Sequence, residues 1–228
     1  MLKYIMTLID FDKTQNAANA KTMLIGIDEA GRGPLAGPVT ACACYIPQEL
    51  YTHSIMSKIN DSKKLTPQKR EMIFEELITL PIIYCTGYAS AEEIDKLNIL
   101  QATFLAMRRA LAKFKNKNIS VLIDGNRTIP NLTVPQKAIV KGDGTSLCVA
   151  AASIIAKVSR DKFMDISAQI YPNYKFEEHK GYGTKLHTDL IEKYGPCPLH
   201  RKTFEPIYSK FYGLFANCNF AKAGANNV

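Results

Sequence analysis

The chain has 228 residues, 46% of them hydrophobic, with 29 Lys and Arg against 21 Asp and Glu, for a formal charge of +8. That composition supports one sizeable core, and without an apolar run of ~18 residues or a leader with a small-residue cleavage site, neither a membrane span nor a signal peptide is expected. A cytoplasmic protein is expected, and the positive balance suits a polyanionic partner, because clustered Lys and Arg release counterions from phosphates, although charge alone identifies no partner. The six cysteines (Cys42, Cys44, Cys85, Cys148, Cys197 and Cys218) form no CxxC pair and sit mostly among apolar neighbours. They read as reduced core residues, not as a zinc site or a disulfide framework.

Residues 1–22 end in a polar Asn- and Ala-containing stretch and read as a poorly ordered lead-in. The catalytic unit is expected over 23–213. Met23 to Ile27 and Val39 to Ile46 read as strands flanking the glycine-rich segment Gly31 to Pro38, a hairpin-like pair with an elaborate connection. A helix from Thr66 to Leu80 starts with a Thr cap and Pro67, and a third strand follows at Ile82 to Tyr88. Ser90 and Glu93 form a capping-box pattern, after which apolar residues recur at helical spacing to Lys115, which predicts one long amphipathic helix. Ser120 to Ile123 and Gln136 to Val140 read as strands, and Ser146 to Ile170 as a helix whose run Ala150-Ala151-Ala152-Ser153 permits close packing on a sheet. Beyond Tyr171, aromatic and basic residues alternate, with a short helix at His187 to Tyr194, and residues 214–228 read as a frayed tail. Three strands followed by helix–strand alternation predict an α/β fold with a mixed sheet covered by helices.

Asp28, Glu29, Asp124 and Asp143 stand where predicted strands run out. Neighbouring strands lie about 4.8 Å apart, so carboxylates at adjacent strand ends can share an ion. Carboxylates without His or Cys partners select hard cations such as Mg²⁺ or Mn²⁺, whose chemistry at a phosphodiester is hydrolysis. Taken singly, each Asp also fits a turn, since Asp124-Gly125 and Asp143-Gly144 are ordinary turn dipeptides. The loop Gly31-Arg32-Gly33 reads as a structural turn or as a ligand-reading loop, because glycines let backbone groups approach a sugar hydroxyl and Arg32 can meet a phosphate.

The stretch Ile27-Asp28-Glu29-Ala30-Gly31-Arg32-Gly33-Pro34-Leu35-Ala36-Gly37-Pro38 closely resembles the opening motif of ribonuclease HII. The segments Asn60 to Leu65, Leu122 to Asn126, Lys141 to Asp143, Ala150 to Asp161 and His179 to Thr184 resemble that family's later motifs in the same order, from Met23 to about Phe204. The resemblance implies a ribonuclease H-like fold, a five-stranded mixed sheet flanked by helices with a C-terminal helical segment over about 171–213 beside the substrate groove. It implies catalytic, metal-holding carboxylates at Asp28, Glu29, Asp124 and Asp143 with Mn²⁺ or Mg²⁺, and RNA/DNA hybrids or ribonucleotide-containing DNA duplexes as partners. Cleavage is then expected 5′ of a ribonucleotide, leaving 5′-phosphate and 3′-hydroxyl ends. By the same resemblance Gly31, Arg32 and Gly33 read the 2′-hydroxyl, Tyr182 stacks on the sugar, and Lys63 (or its neighbour Lys64) and Ser153 contact substrate.

His179, His187 and His200 read as structural or phosphate-facing, and Asp161 as an ion-pair partner or helix-surface carboxylate, not a catalytic group. The lead before Met23 has no counterpart in the motif set and is too short for the additional N-terminal domain of ribonuclease HIII. Two rival readings are another polynucleotidyl transferase or resolvase on the same sheet, and a non-catalytic hybrid-binding module. A monomer is expected, since no long apolar seam is left over.

Overall fold

The computed structural model describes residues 7–18, 21–59 and 65–213. Its strands are β1 (Met23–Ala30), β2 (Val39–Tyr45), β3 (Ile83–Ala89), β4 (Ile119–Asp124) and β5 (Gln136–Ile139). They form one sheet in the order β3-β2-β1-β4-β5, antiparallel across β3-β2-β1 and parallel across β1-β4-β5. The helices are α1 (Leu8–Ala18), α2 (Pro67–Thr79), α3 (Ala91–Leu97), α4 (Ile99–Leu111), α5 (Leu147–Ile170), α6 (Phe176–His179) and α7 (Lys185–Tyr194).

Strand side chains alternate between two apolar layers, which is why the strands are apolar on both faces. Ile25, Ile27, Ala41, Ala43, Val121 and Ile123 pack with Phe104, Met107 and Leu111 of α4. Cys42 and Cys44 face the opposite layer with Ala151, Ala152 and Ile155 of α5 and Ile73 and Leu77 of α2. Each fully buried Ile or Leu contributes about 1.5–3 kcal/mol, so the two layers clamp the sheet from both sides. The cysteines Cys42, Cys44 and Cys148 are free and buried in this core, as expected. At Gly26 a side chain is forbidden: a Cβ there would lie 2.1 Å from the carbonyl carbon of Cys148, so the missing side chain sets how closely α5 lies on β1.

Side-chain caps start α2, α3 and α5 where the sequence places them, whereas α7 starts at Lys185, two residues before the expected His187. Thr66, Ser90, Ser146 and Thr184 accept from backbone N–H groups of the first turns of α2, α3, α5 and α7. The expected long helix beyond Ser90 is in fact two, α3 and α4, broken at Asn98 (φ +67°). Asn98 adopts the left-handed region and its Oδ1 accepts from Leu100 N and Gln101 N at 3.0 and 3.1 Å, so one residue both ends α3 and caps α4.

The expectation of a poorly ordered lead-in is corrected for residues 8–18, which form α1. Leu8 and Ile9 join the α5-side core and Phe11 packs with Leu24, Leu122 and Val149. Asp12, fully buried, accepts from Cys148 N at 2.9 Å at the start of α5, and Asn16 donates to the Tyr51 hydroxyl. Residues 214–228, expected to be frayed, lie outside the described residues, and among the described residues no helix is long and apolar enough to cross a membrane.

Candidate active site

The parallel pairing of β1 with β4 sets Ile27 opposite Ile123, so the next residues, Asp28 and Asp124, stand side by side at adjacent strand ends. Pleating sends Asp28 toward α5 and Glu29 toward α4, so the consecutive pair straddles the edge of the sheet. Asp28 is buried, and burial pushes its carboxyl well above the usual range, with the charges of Glu29 and Asp124 adding to the effect. The Ser153 hydroxyl and Glu29 N–H (2.7 Å) donate to Asp28 and oppose that shift. Asp124 Oδ1 accepts from Gly142 N at 2.7 Å, which ties the end of β4 to the 3-10 turn Gly142–Gly144 carrying buried Asp143.

One cleft is lined by Asp28, Glu29, Asp124, Gly31, Arg32, Ser153 and Tyr182, which joins the carboxylate edge to the glycine loop and the tyrosine. Gly33 and Asp143 do not line it, Asp143 lying buried on the turn that Gly142 ties to Asp124, and Lys63 lies outside the described residues. Arg32 pairs with Glu29 at 3.3 Å while remaining half exposed.

Two cations of the cleft, Arg70 and Lys157, escaped the sequence reading. The signal for Lys157 was present: Ser153, Lys157 and Arg160 recur at i, i+4 and i+7 of α5 and so share one face. Lys157 Nζ and the Arg160 guanidinium lie 5.3 and 5.7 Å from the centre of the Tyr182 ring, within cation–π range. Lys157 also pairs with Asp161 at 2.9 Å, the ion pair expected of Asp161.

Behind Tyr182 lies a buried histidine cluster. His179 and His187 stack at 4.2 Å, and His187 Nε2 is 3.1 Å from His200 Nε2. Neighbouring backbone groups dictate a consistent set of neutral tautomers. His187 Nδ1–H donates to Tyr182 O, His200 Nε2–H donates to His187 Nε2, and His200 Nδ1 accepts from Cys197 N. Burial pulls His187 down to about 3 and His200 down to about 4, so both stay neutral at physiological pH and serve the structure.

The donor set suits a hard divalent cation, being oxygen-only and electrostatically crowded. Among the described residues no three His, Cys, Asp or Glu side chains close into a finished cage. Carboxylates crowded at adjacent strand ends suit a cation that takes its remaining oxygens from water and a substrate phosphate, as Mg²⁺ and its relatives do.

Acidic strand ends on a mixed β3-β2-β1-β4-β5 sheet, opening beside a glycine loop, define a ribonuclease H-like hydrolase. The family model for ribonuclease HII matches residues 25–207. The ribonuclease HII of Endomicrobium trichonymphae is 52% identical over 182 residues, covering 80% of this chain and 85% of that protein. That of Fusobacterium nucleatum is 53% identical over 79% of this chain and 85% of that protein. The crystal structure of ribonuclease H2 from Pyrococcus horikoshii OT3 superposes with a TM-score of 0.65 at 29% identity, covering 82% of this chain and 96% of that one. The chain belongs to the ribonuclease HII family, and with it to the divalent-metal-dependent ribonucleases H.

Proposed function

We propose that the protein hydrolyses the RNA strand of RNA/DNA hybrids and also cuts 5′ of ribonucleotides embedded in duplex DNA, leaving 5′-phosphate and 3′-hydroxyl ends. The observation that carries this reading is the shared cleft: the carboxylates that hydrolysis needs open directly onto the glycine loop and Tyr182. Asp28, Glu29, Asp124 and Asp143 would hold Mg²⁺ or Mn²⁺, which when bound would supply activation of water and stabilisation of charge at the leaving oxygen. The protein's own residues do the positioning. Ser153 fixes the Asp28 carboxyl by donating to it, and the Gly142 N–H fixes Asp124. Backbone groups of Gly31-Arg32-Gly33 recognise the ribose 2′-hydroxyl, which is both donor and acceptor and is absent from DNA. Tyr182, its ring flanked by Lys157 and Arg160, offers an exposed face to the sugar beside it, while Arg32, Arg70 and Lys157 supply positive charge for the backbone phosphates. A monomer suffices, since the described carboxylates and loop all come from one chain.

The test uses a labelled DNA duplex with one internal ribonucleotide, in Mg²⁺, Mn²⁺ or EDTA, beside an all-DNA duplex. Cleavage 5′ of the ribonucleotide is expected only with metal, and Asp28→Asn and Asp124→Asn are expected to lower the rate by roughly three orders of magnitude or more. Cutting of all-DNA would instead indicate a resolvase-like nuclease. Binding without cutting under any metal would indicate a hybrid-binding module.

A further inference from the structure

We propose that Arg201 sets the sugar specificity of the cleft by locking the peptide planes of the Gly31-Arg32-Gly33 loop, so that two successive N–H groups face the ribose. The proposal rests on the reading of that loop as the 2′-hydroxyl reader. Arg201 lies almost at the end of the described chain, yet its side chain is fully buried under the loop. Its Nη2 donates to Gly31 O at 2.5 Å and its Nη1 to Arg32 O at 2.8 Å. Nε and Nη2 also donate to Gly37 O, at 3.1 and 2.9 Å, and the Arg201 backbone N–H donates to Leu35 O at 2.9 Å. All these partners are carbonyl oxygens of one loop.

The geometry of a peptide converts those bonds into an orientation. In a trans peptide the C=O and the following N–H point in opposite directions. Drawing the oxygens of Gly31 and Arg32 onto Arg201 therefore turns the N–H groups of Arg32 and Gly33 away from it, toward the side on which Gly31 and Arg32 line the cleft. The space beside Gly33 is open, since a Cβ there would meet nothing within 4 Å. Only a planar fork of fixed N–H directions can hold adjacent carbonyls in this way, and a lysine ammonium cannot reproduce it.

Arg160 divides the labour. Its guanidinium donates to Ala36 O (3.1 Å), Pro38 O (3.0 Å) and Lys180 O (3.0 Å), which fixes the return of the loop and the turn before Tyr182; it packs against Gly31 but bonds to neither reading carbonyl. Burial beside Arg160 draws Arg201 down to about 9. A buried cation held by carbonyls contributes little stability that an apolar side chain of similar size would not match, so its directional fork is the property the site uses.

The experiment compares kcat/KM on duplexes carrying one ribonucleotide or one 2′-fluoro-2′-deoxynucleotide, a fluorine being a poor acceptor and no donor. Wild type is expected to prefer the ribonucleotide at least tenfold. In Arg201→Lys and Arg201→Met the preference is expected to shrink about tenfold, mostly through the ribonucleotide arm, whereas Arg160→Lys lowers both arms together and leaves the ratio unchanged. An unchanged ratio in a folded Arg201→Lys overturns the proposal, and a wild-type ratio of one overturns the loop's reading of the 2′-hydroxyl instead. Should both Arg201 variants fail to fold, amide exchange in the wild-type protein decides the matter. The N–H groups of Arg32 and Gly33 are expected to slow on binding the ribonucleotide duplex in EDTA and not on binding all-DNA, and equal slowing overturns the proposal.

Discussion

His187 stacks on one histidine, donates to the carbonyl of Tyr182 and receives a hydrogen bond from another histidine, and this last contact requires its Nε2 to be unprotonated and the ring neutral. Unfolded, the same imidazole takes up a proton near pH 6.5, whereas folded it resists protonation down to about 3, and His200 down to about 4. The unfolded state therefore binds more protons between these limits, and stability rises with pH there and is lost as pH falls. Each histidine removes about 1.4 kcal/mol per pH unit within its window. Asp12 and Asp28, raised by burial, act in the opposite sense, gaining stability as pH falls toward the carboxylate range. The histidine effect is isolated by difference: thermal melts of wild type between pH 7.5 and 5 are expected to fall more steeply than those of His187→Asn. Parallel profiles would mean that the cluster is protonated in the folded state. At this scale the sequence was informative about the acids, whose adjacency follows from strand ends, and about the structural character of the histidines. It was silent on Arg160 and Arg201, because nothing local marks an arginine most of whose partners are carbonyls more than a hundred residues away.

Among the elements, the break between α3 and α4 shows what a periodicity reading loses. Apolar spacing continues across Asn98, and although Asn can end one helix and cap the next, a single Asn weighs little against an unbroken apolar pattern. The bend nevertheless has consequences for the site: α4 supplies the layer beneath Glu29, while α3 is held to it by the Glu93–Arg109 fork at 2.7 and 2.8 Å, which draws Glu93 down to about 2. Asn98→Ala loses both cap bonds and places a Cβ residue with no compensating side-chain bond in the left-handed region. A loss of about 2 kcal/mol is expected in denaturant unfolding, with Asn98→Gly costing less than half of that because glycine adopts the conformation freely. Equal losses would mean that the cap bonds, not the backbone, carry the effect. The lead-in helix α1 was missed for a related reason: its apolar face is only Leu8, Ile9 and Phe11, and its anchor is a buried Asp12, a residue type that reads as surface.

For the whole molecule, the excess of positive charge was legible from composition, but its use depends on where the cations lie. Many are spent on local pairs that do not line the cleft, such as Lys96 with Glu92 and Lys185 with Asp189. Arg32, Arg70 and Lys157 line the cleft, so phosphate contact there releases counterions and makes binding salt-dependent. The chemical step involves groups already inside the complex and carries no such dependence. Raising KCl from about 50 to about 200 mM is expected to lower kcat/KM on a ribonucleotide duplex while leaving kcat at saturation nearly unchanged, with a log–log slope of about −0.9 per phosphate contact. Arg32→Ala is expected to reduce the steepness by about one contact, whereas Lys96→Ala, on α3 and paired with Glu92, leaves it unaltered. If Arg32→Ala lowers the rate without changing the slope, then Arg32 acts on Glu29 and not on phosphate, and the steering charge of the cleft rests on Arg70 and Lys157.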